Sequence, residues 1–329
     1  LINSNILLET FWSAFSLDWK IPFKSIYWFF NRKSNLKRKL NINSNLNVKN
    51  LPYNKEAIDY ITKHRKNGGY TVLVTKSNQI IARKIAKHLS LFDEMQIKGA
   101  TKKFSVKENF KVNYLKNRIP SKPSGNTFSE YIKTIRAYQW IKNILVFVPM
   151  FAAHQINNEN LSNSILAFIA FSLIASCIYI INDLLDLNAD RSHPYKNSRP
   201  FANGSMQIKN GMIIFFIFFL ISINLSFFIS FKFLVLIFLY FILSFTYSLI
   251  LKKIMIIDIL ILAILFTFRI VGGGFATEIE ISHSLLVFSI FLFLCLASIK
   301  RQSELIDLKA RKKLKTVMGR GYHTKDLSI

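Results

Sequence analysis

The sequence predicts a mainly helical, multi-span transmembrane bundle preceded by an incomplete soluble α/β portion. Three observations carry that expectation. Hydrophobic residues make up 51% of the 329-residue chain and the mean hydropathy is +0.28, too apolar for an ordinary soluble protein. The apolar residues cluster after residue 140, in runs at 143–154, 164–181, 211–230, 233–250, 254–275 and 284–299. Ahead of them, residues 55–90 pass from helical spacing to a short β-branched run and back. That is the pattern of a small α/β unit with a parallel sheet.

In chain order, Leu1 to Trp12 reads as a loop entering an amphipathic helix, and the basic, polar stretch Asn31 to Lys49 as a surface helix or loop. Lys55 to Lys66 has helical periodicity and stops at Gly68-Gly69, a natural helix end. Tyr70-Thr-Val-Leu-Val-Thr75 is a strand of buried type, and Asn78 to Ser90 returns to helical spacing. Arg118-Ile-Pro-Ser-Lys-Pro-Ser-Gly-Asn126 is rich in Pro, Ser and Gly and reads as a linker. The expected division is therefore a soluble portion at 1–117, a linker at 118–126 and a membrane domain at 127–329. The first apolar run is short for a span; the others approach the ~20 residues a bilayer needs. The chain opens on Leu without a signal peptide and stops soon after a charged stretch, so it reads as a fragment of a longer protein.

Lys and Arg outnumber Asp and Glu 44 to 18, a formal charge of +26. No aromatic-interleaved basic fold for nucleic acid accompanies that excess, so membrane lipids are the expected partner and nucleic acid is not. Cys177 and Cys295 both lie inside apolar runs, as packing residues rather than a disulfide or metal pair. Loop charge alternates. His154–Asn163 and Ala276–Ser284 carry no Lys or Arg and the loop at 231–232 only Lys232, whereas Arg191–Lys209, Lys252–Lys253 and the tail from Lys300 are basic. The positive-inside rule then puts the basic loops and the soluble portion on the cytoplasmic side of a plasma membrane, a bacterial inner membrane being the expected one.

The chemistry gathers at Asn182-Asp-Leu-Leu-Asp-Leu-Asn-Ala-Asp190, directly after an apolar run. Asp183, Asp186 and Asp190 are spaced i, i+3 and i+7, which on a helix puts three carboxylates on one face. Stacked carboxylates repel, and a charge carried deep into a bilayer costs roughly 2.5–3.5 kcal/mol. A hard divalent cation relieves both, and Mg²⁺ typically uses one or two carboxylates plus substrate phosphates. Arg191, His193, Lys196 and Arg199 follow at once as positive charge for the same phosphates. A lone acidic pair would be a solvated loop; the whole constellation favours a metal–phosphate site. Arg269, inside an apolar run, either contacts phosphate or pairs with Asp258. Gly272-Gly-Gly274 admits a close neighbouring helix. Trp140 and Lys142 either anchor at the interface or serve the site, and Lys309 to Lys315 reads as an anionic-lipid contact.

Two resemblances extend these readings. Gly69-Tyr-Thr-Val-Leu-Val-Thr75-Lys-Ser77 and Phe92-Asp93-Glu94 resemble the haloacid dehalogenase phosphatase superfamily, Thr75 standing where that family's second motif ends a strand. The nucleophile motif is missing and so is the late acidic motif, so a phosphatase mechanism is not expected and the portion reads as degenerate or regulatory. The membrane domain resembles the UbiA superfamily of intramembrane prenyltransferases. The carriers are Arg136-Ala-Tyr-Gln-Trp140-Ile-Lys142-Asn143 and Asn182-Asp183-x-x-Asp186-x-x-x-Asp190-Arg191-x-His193-Pro194-x-Lys196-x-x-Arg199-Pro200. The resemblance implies nine membrane helices, and Mg²⁺ held on a substrate diphosphate by Asp183 and Asp186 with Asp190 and Asn182 in support. It implies transfer from a polyprenyl phosphate or diphosphate with a small-molecule co-substrate. Where aromatic prenyltransferases carry a second acidic motif, this chain has Lys300-Arg301-Gln-Ser-Glu304. Tyr247, Lys252, Asp258, Arg269 and that group look more like the branch moving phosphoribose from its pyrophosphate to polyprenyl phosphate. Prenyl transfer is the expectation and phosphoribosyl transfer the alternative. A membrane scaffold would explain the spans but not the aligned aspartates and cations.

Overall fold

A computed structural model describes residues 1–31, 33–75, 78–97 and 128–310. The expected linker at 118–126 and most of the basic tail lie outside the described residues. The chain forms two compact units, one of Leu1–Thr134 with Asp183–Met212 and one of Ile135–Asn182 with Ile213–Ile329.

The first unit opens with α1 (Ile6–Phe15), α2 (Ile21–Asn31) and α3 (Lys33–Asn43), which pack pairwise on one another. Asn5 caps α1 by accepting from the Leu7 amide, and Glu9 sits in the first turn where the helix dipole favours a carboxylate. Trp12, Ala14, Phe15, Ile21 and Leu40 are buried, an apolar set contributed by all three helices. Asn54 caps α4 (Lys55–Lys66), whose last turn carries Lys63, His64, Arg65 and Lys66 to complement the dipole. Gly68 at φ 77° then turns the chain out of the helix, a conformation that favours glycine. β1 (Val72–Thr75) and β2 (Glu94–Ile97) pair in parallel, Val72 opposite Glu94 and Thr75 opposite Ile97, with α5 (Gln79–Leu89) as the crossover. Asp93 locks the crossing by accepting from the Thr71 amide at 2.9 Å and from Arg65 at 3.1 Å. This two-stranded element is all that answers the expectation of a haloacid dehalogenase-like portion; among the described residues no further strand extends the sheet. The rest of the portion is helical because its long apolar positions recur at helical rather than alternating spacing.

After α6 (Phe128–Ile135), the second unit begins with an 11-residue 3-10 helix, Ala137–Phe147, followed by α7 (Val148–Ala152). The first apolar run expected to span is thus realised as two short pieces, a correction that follows from Pro149 beside the junction, which cannot donate a helical hydrogen bond. The other runs become five helices long and apolar enough to cross a membrane. They are α8 (Asn158–Leu185), α11 (Ile208–Ile229), α12 (Phe231–Leu249), α13 (Ile257–Thr277) and α14 (His283–Ala310). Between α8 and α11 lie the short α9 (Leu187–Ser192) and α10 (Pro200–Asn203), which belong to the first unit. The most apolar windows of α8 and α11 are 72% and 11% buried, so α8 is surrounded by protein whereas α11 presents most of its surface outward.

α13 packs against α12, α14, α7 and the 3-10 helix. Gly272 and Gly273 allow it: a Cβ at Gly273 would overlap the carbonyl oxygen of Val146, and one at Gly272 the ring of Phe171. The expected packing role of this glycine run holds. Phe171 in turn meets Phe233 and Tyr240 edge-on, with centroids 5.7 and 5.4 Å apart, at the centre of the core.

Candidate active site

In the first unit, α8 ends at Leu185 and α9 starts at Leu187, with Asp186 at the break. The three aspartates therefore do not share one uninterrupted helical face, as their spacing suggested; α8 ends at Leu185, ahead of Asp186 and Asp190. The grouping survives by another route. Arg199 Nη1 donates to Asp183 Oδ1 at 3.1 Å and to Asp190 Oδ2 at 2.6 Å, with Asp183 and Asp190 almost fully buried. Arg199 reaches them because it precedes Pro200, which holds it extended, while Pro200 starts α10 and Gly204 at φ 81° ends it. Burial pushes the Asp190 carboxyl up to about 6, against the pull of Arg199.

The other cations of the segment divide. Arg191 donates to both carboxylate oxygens of Glu9 on α1, at 2.9 and 2.7 Å, and to the Ala202 carbonyl. Lys196 stays exposed in the 3-10 turn Lys196–Ser198. His193 Nδ1 accepts from the amides of Tyr195 and Lys196 and shapes that turn.

Asp183, Asp186 and Asp190 bring hard oxygen donors together around Arg199. That chemistry fits a hard divalent cation completed by substrate oxygens. Among the described residues no group of three or more His, Cys, Asp or Glu is gathered at ligating distance. Asp183 and Asp186 are the residues that would hold it.

In the second unit a cavity of about 450 Å³ opens between helices. Each element turns one face to it. α8 contributes Ala175, Ile178, Tyr179 and Asn182; α13 contributes Leu262, Leu265, Phe266 and Arg269; α14 contributes Phe293, Leu296, Ala297 and Lys300. All three sets are spaced i, i+3, i+4, i+7, the stripe of an α-helix. α12 offers Tyr240, Ser244, Tyr247 and Ser248, and the 3-10 segment Arg136, Gln139 and Lys142. The last three recur every third residue, the repeat of a 3-10 helix, which lines them up in one row. Four cations thus face the cavity, and none of its described lining residues is acidic. Gln139 Oε1, Asn182 Oδ1 and Ser244 Oγ are buried without a hydrogen-bond partner among the described residues, each an omission costing about 1–3 kcal/mol unless a ligand or water fills it.

Around the cavity, Arg269 donates to Asn143 Oδ1 at 2.7 Å and to the Tyr240 hydroxyl at 3.0 Å. The pairing with Asp258, one of its two expected roles, does not occur, since that carboxylate is taken by Arg301, through Nε and through Nη2 at 3.0 Å, and by the Tyr247 hydroxyl at 2.7 Å. Arg301 Nη1 also donates to Glu304 at 2.7 Å, so Asp258, Arg301 and Glu304 form an ionic clamp behind the lining. Lys252 sits in the turn Leu251–Lys253, outside the lining. Trp140 donates its indole N–H to Ser176 Oγ at 3.0 Å, a bond between the 3-10 segment and α8. Sequence reasoning missed Tyr240, Ser244 and Ser248 as lining residues, although a polar stripe at helical spacing on an apolar helix signals them. It also missed Gln139, hidden by the three-residue repeat, and Glu9, whose partner no local spacing reveals.

A profile of the UbiA prenyltransferase family matches residues 143–318. An uncharacterized protein, y4nM, of Sinorhizobium fredii is 28% identical, over 98% of this chain and 71% of its own. A decaprenyl-phosphate phosphoribosyltransferase of Mycobacterium tuberculosis is 30% identical over 57% of this chain, which spans 64% of that relative's length. A solved UbiA homolog from Archaeoglobus fulgidus bound to GPP and Mg²⁺ superposes with a TM-score of 0.48 and 19% identity, over 55% of this chain and 64% of that one.

Proposed function

The chain belongs to the UbiA prenyltransferase family, and from that premise we propose that it is an integral-membrane, Mg²⁺-dependent prenyltransferase using a polyprenyl phosphate or diphosphate. The observation that carries this reading is the cavity, with its four cations, no acid and otherwise largely apolar lining. Two of the four, Arg269 and Lys300, lie on membrane-spanning helices, where a cation is costly without a counter-charge, and a ligand with an anionic head and a hydrocarbon tail supplies one. Arg136, Lys142, Arg269 and Lys300 would take phosphate oxygens, while Leu262, Phe266 and Phe293 would take isoprene units. Gln139 Oε1 and Asn182 Oδ1 can only accept, so they suit a hydroxyl-bearing small-molecule co-substrate. Mg²⁺ held by Asp183 and Asp186 would neutralise the pyrophosphate as it leaves. Arg199 would keep Asp183 and Asp190 oriented, and Arg191, tied to Glu9, would position the segment rather than touch phosphate. Lys196 remains the exposed cation available to an incoming diphosphate. The basic loops support a cytoplasmic placement of this segment.

A second reading, phosphoribosyl transfer to a polyprenyl phosphate, is favoured by Lys300 standing in the lining where a second acidic motif would put a carboxylate. Similarity to a decaprenyl-phosphate phosphoribosyltransferase supports it as well. For the N-terminal portion we infer a supporting role, since Glu9 on α1 holds Arg191 of the aspartate segment.

Membranes containing the protein, with an Asp183→Asn control, test both. One reaction receives labelled phosphoribosyl pyrophosphate and polyprenyl phosphate, the other a polyprenyl diphosphate and aromatic acceptors. Product in the second reaction alone, lost with EDTA and in the control, supports prenyl transfer. Label entering lipid in the first alone establishes the second reading. Turnover in neither, with the control indistinguishable, sinks both.

A further inference from the structure

α2 divides sharply between two faces. Ile21 is fully buried, and Ser25 and Trp28, at i+4 and i+7 from it, are half-buried against the rest of the first unit. On the other side Phe23, Ile26, Tyr27 and Phe30, again at i, i+3, i+4 and i+7, are 68%, 59%, 67% and 82% exposed, where a soluble helix would carry polar residues. Leu17 and Trp19 extend the same apolar exposure into the preceding turn. A contiguous exposed patch of this kind marks an interaction site.

The chemistry beside the patch says what covers it. Lys20 lies over the Trp19 ring at 5.8 Å and is exposed, as are Arg38 and Lys39 on α3, the helix packed against α2. Aromatic residues bordered by lysine, with further exposed cations on the neighbouring helix, are the signature of a helix lying in a membrane interface, and they complement anionic lipid. Within the first unit, this helix is also tied to the segment that follows α8. α1, joined to α2 by a five-residue turn, packs on α9 and holds it through Glu9 and Arg191; α9 begins at Leu187, directly after the span α8 ends at Leu185.

We propose that α2 is an interfacial helix that docks on an anionic bilayer surface, with Phe23, Ile26, Tyr27 and Phe30 among the acyl chains and Lys20, Arg38 and Lys39 toward the headgroups. It gives the N-terminal portion a second hold on the membrane, independent of the spans and of the reaction catalysed.

The test uses the full chain with Cys295→Ser, reconstituted in phosphatidylcholine vesicles containing phosphatidylglycerol. An environment-sensitive fluorophore is placed at Phe30→Cys, at Tyr27→Cys as a second outer-face site, or at Lys66→Cys as a water-exposed control on α4. Each variant must melt like the parent. Phospholipids brominated in the acyl chains are expected to quench the labels at 27 and 30 several-fold more than the label at 66, less so when phosphatidylglycerol is omitted. Emission and quenching at 27 and 30 equal to those at 66 would overturn the proposal. So would labels shielded from water and from brominated lipid alike, with excitation transfer between copies rising with protein density, because the face would then bind a second copy.

Discussion

Glu9 and Arg191 form a two-bond ion pair, at 2.7 and 2.9 Å, although 182 positions separate them. Their side chains are 1% and 3% exposed. The N-terminal portion is therefore joined to the segment that carries the aspartates, not simply appended to it. Removing one partner of a buried pair leaves the other charge stranded, at a cost of about 3–5 kcal/mol. Glu9→Gln is expected to lower the melting temperature and weaken activity together, and Glu9→Arg combined with Arg191→Glu to recover part of both. Thermal unfolding in detergent checks this; a melt unchanged in Glu9→Gln would show that the pair holds nothing.

Arg199 touches two carboxylates but would not itself hold a metal. Losing an outer partner typically costs about 10–100-fold in metal affinity, so Arg199→Gln should raise the Mg²⁺ needed for half-maximal activity within that range. Asp183→Asn, which removes a proposed ligand, should raise it further. A magnesium titration of both variants decides the order, and the reverse order would reassign the roles.

The clamp formed by Asp258, Arg301 and Glu304 predicts a split between stability and binding. Asp258→Asn takes one of two carboxylates from the buried guanidinium of Arg301, which keeps Glu304, and should cost about 1–3 kcal/mol, whereas Tyr247→Phe loses one hydrogen bond to that carboxylate, about 1 kcal/mol. Lys300→Met, a change at an exposed lining residue, should leave the melt nearly unaltered and raise KM. Melting curves paired with steady-state kinetics separate the three. A large stability loss in Lys300→Met would place it in the clamp instead.

Gly273→Ala forces a methyl group against the backbone oxygen of Val146, which has little room to yield. Overpacking of this kind costs about 1–3 kcal/mol or more. At Gly211 the obstacle is the ring edge of buried Phe201, which can shift through its side-chain torsions as a backbone carbonyl cannot. Gly211→Ala should therefore be the milder change, as judged by detergent melts of the two variants.

The spans were legible because a bilayer demands long apolar runs, and α8, α11, α12, α13 and α14 lie where those runs fall. The first run misled because apolarity does not report the break that Pro149 permits. The aspartate segment was visible from composition and spacing, but the break at Asp186 and the bridging by Arg199 depend on Pro200 and Gly204 folding the chain back. Arg269 and Asp258, plausible partners on one helix, went instead to Asn143 and Arg301 on neighbouring elements. Partner choice among buried charges is tertiary, and a single sequence does not contain it. The same applies to Glu9.

The central claim is that the cationic cavity receives the phosphate end of an isoprenoid lipid. Photo-crosslinking with a polyprenyl phosphate bearing a benzophenone near its head, in membranes containing the protein, tests this most directly. Adducts should fall on peptides of α8, α12, α13 and α14 that line the cavity. They should diminish with excess unlabelled polyprenyl phosphate and in Lys142→Met with Lys300→Met. Adducts confined to the outward face of α11, unaffected by competitor or by these substitutions, would contradict it.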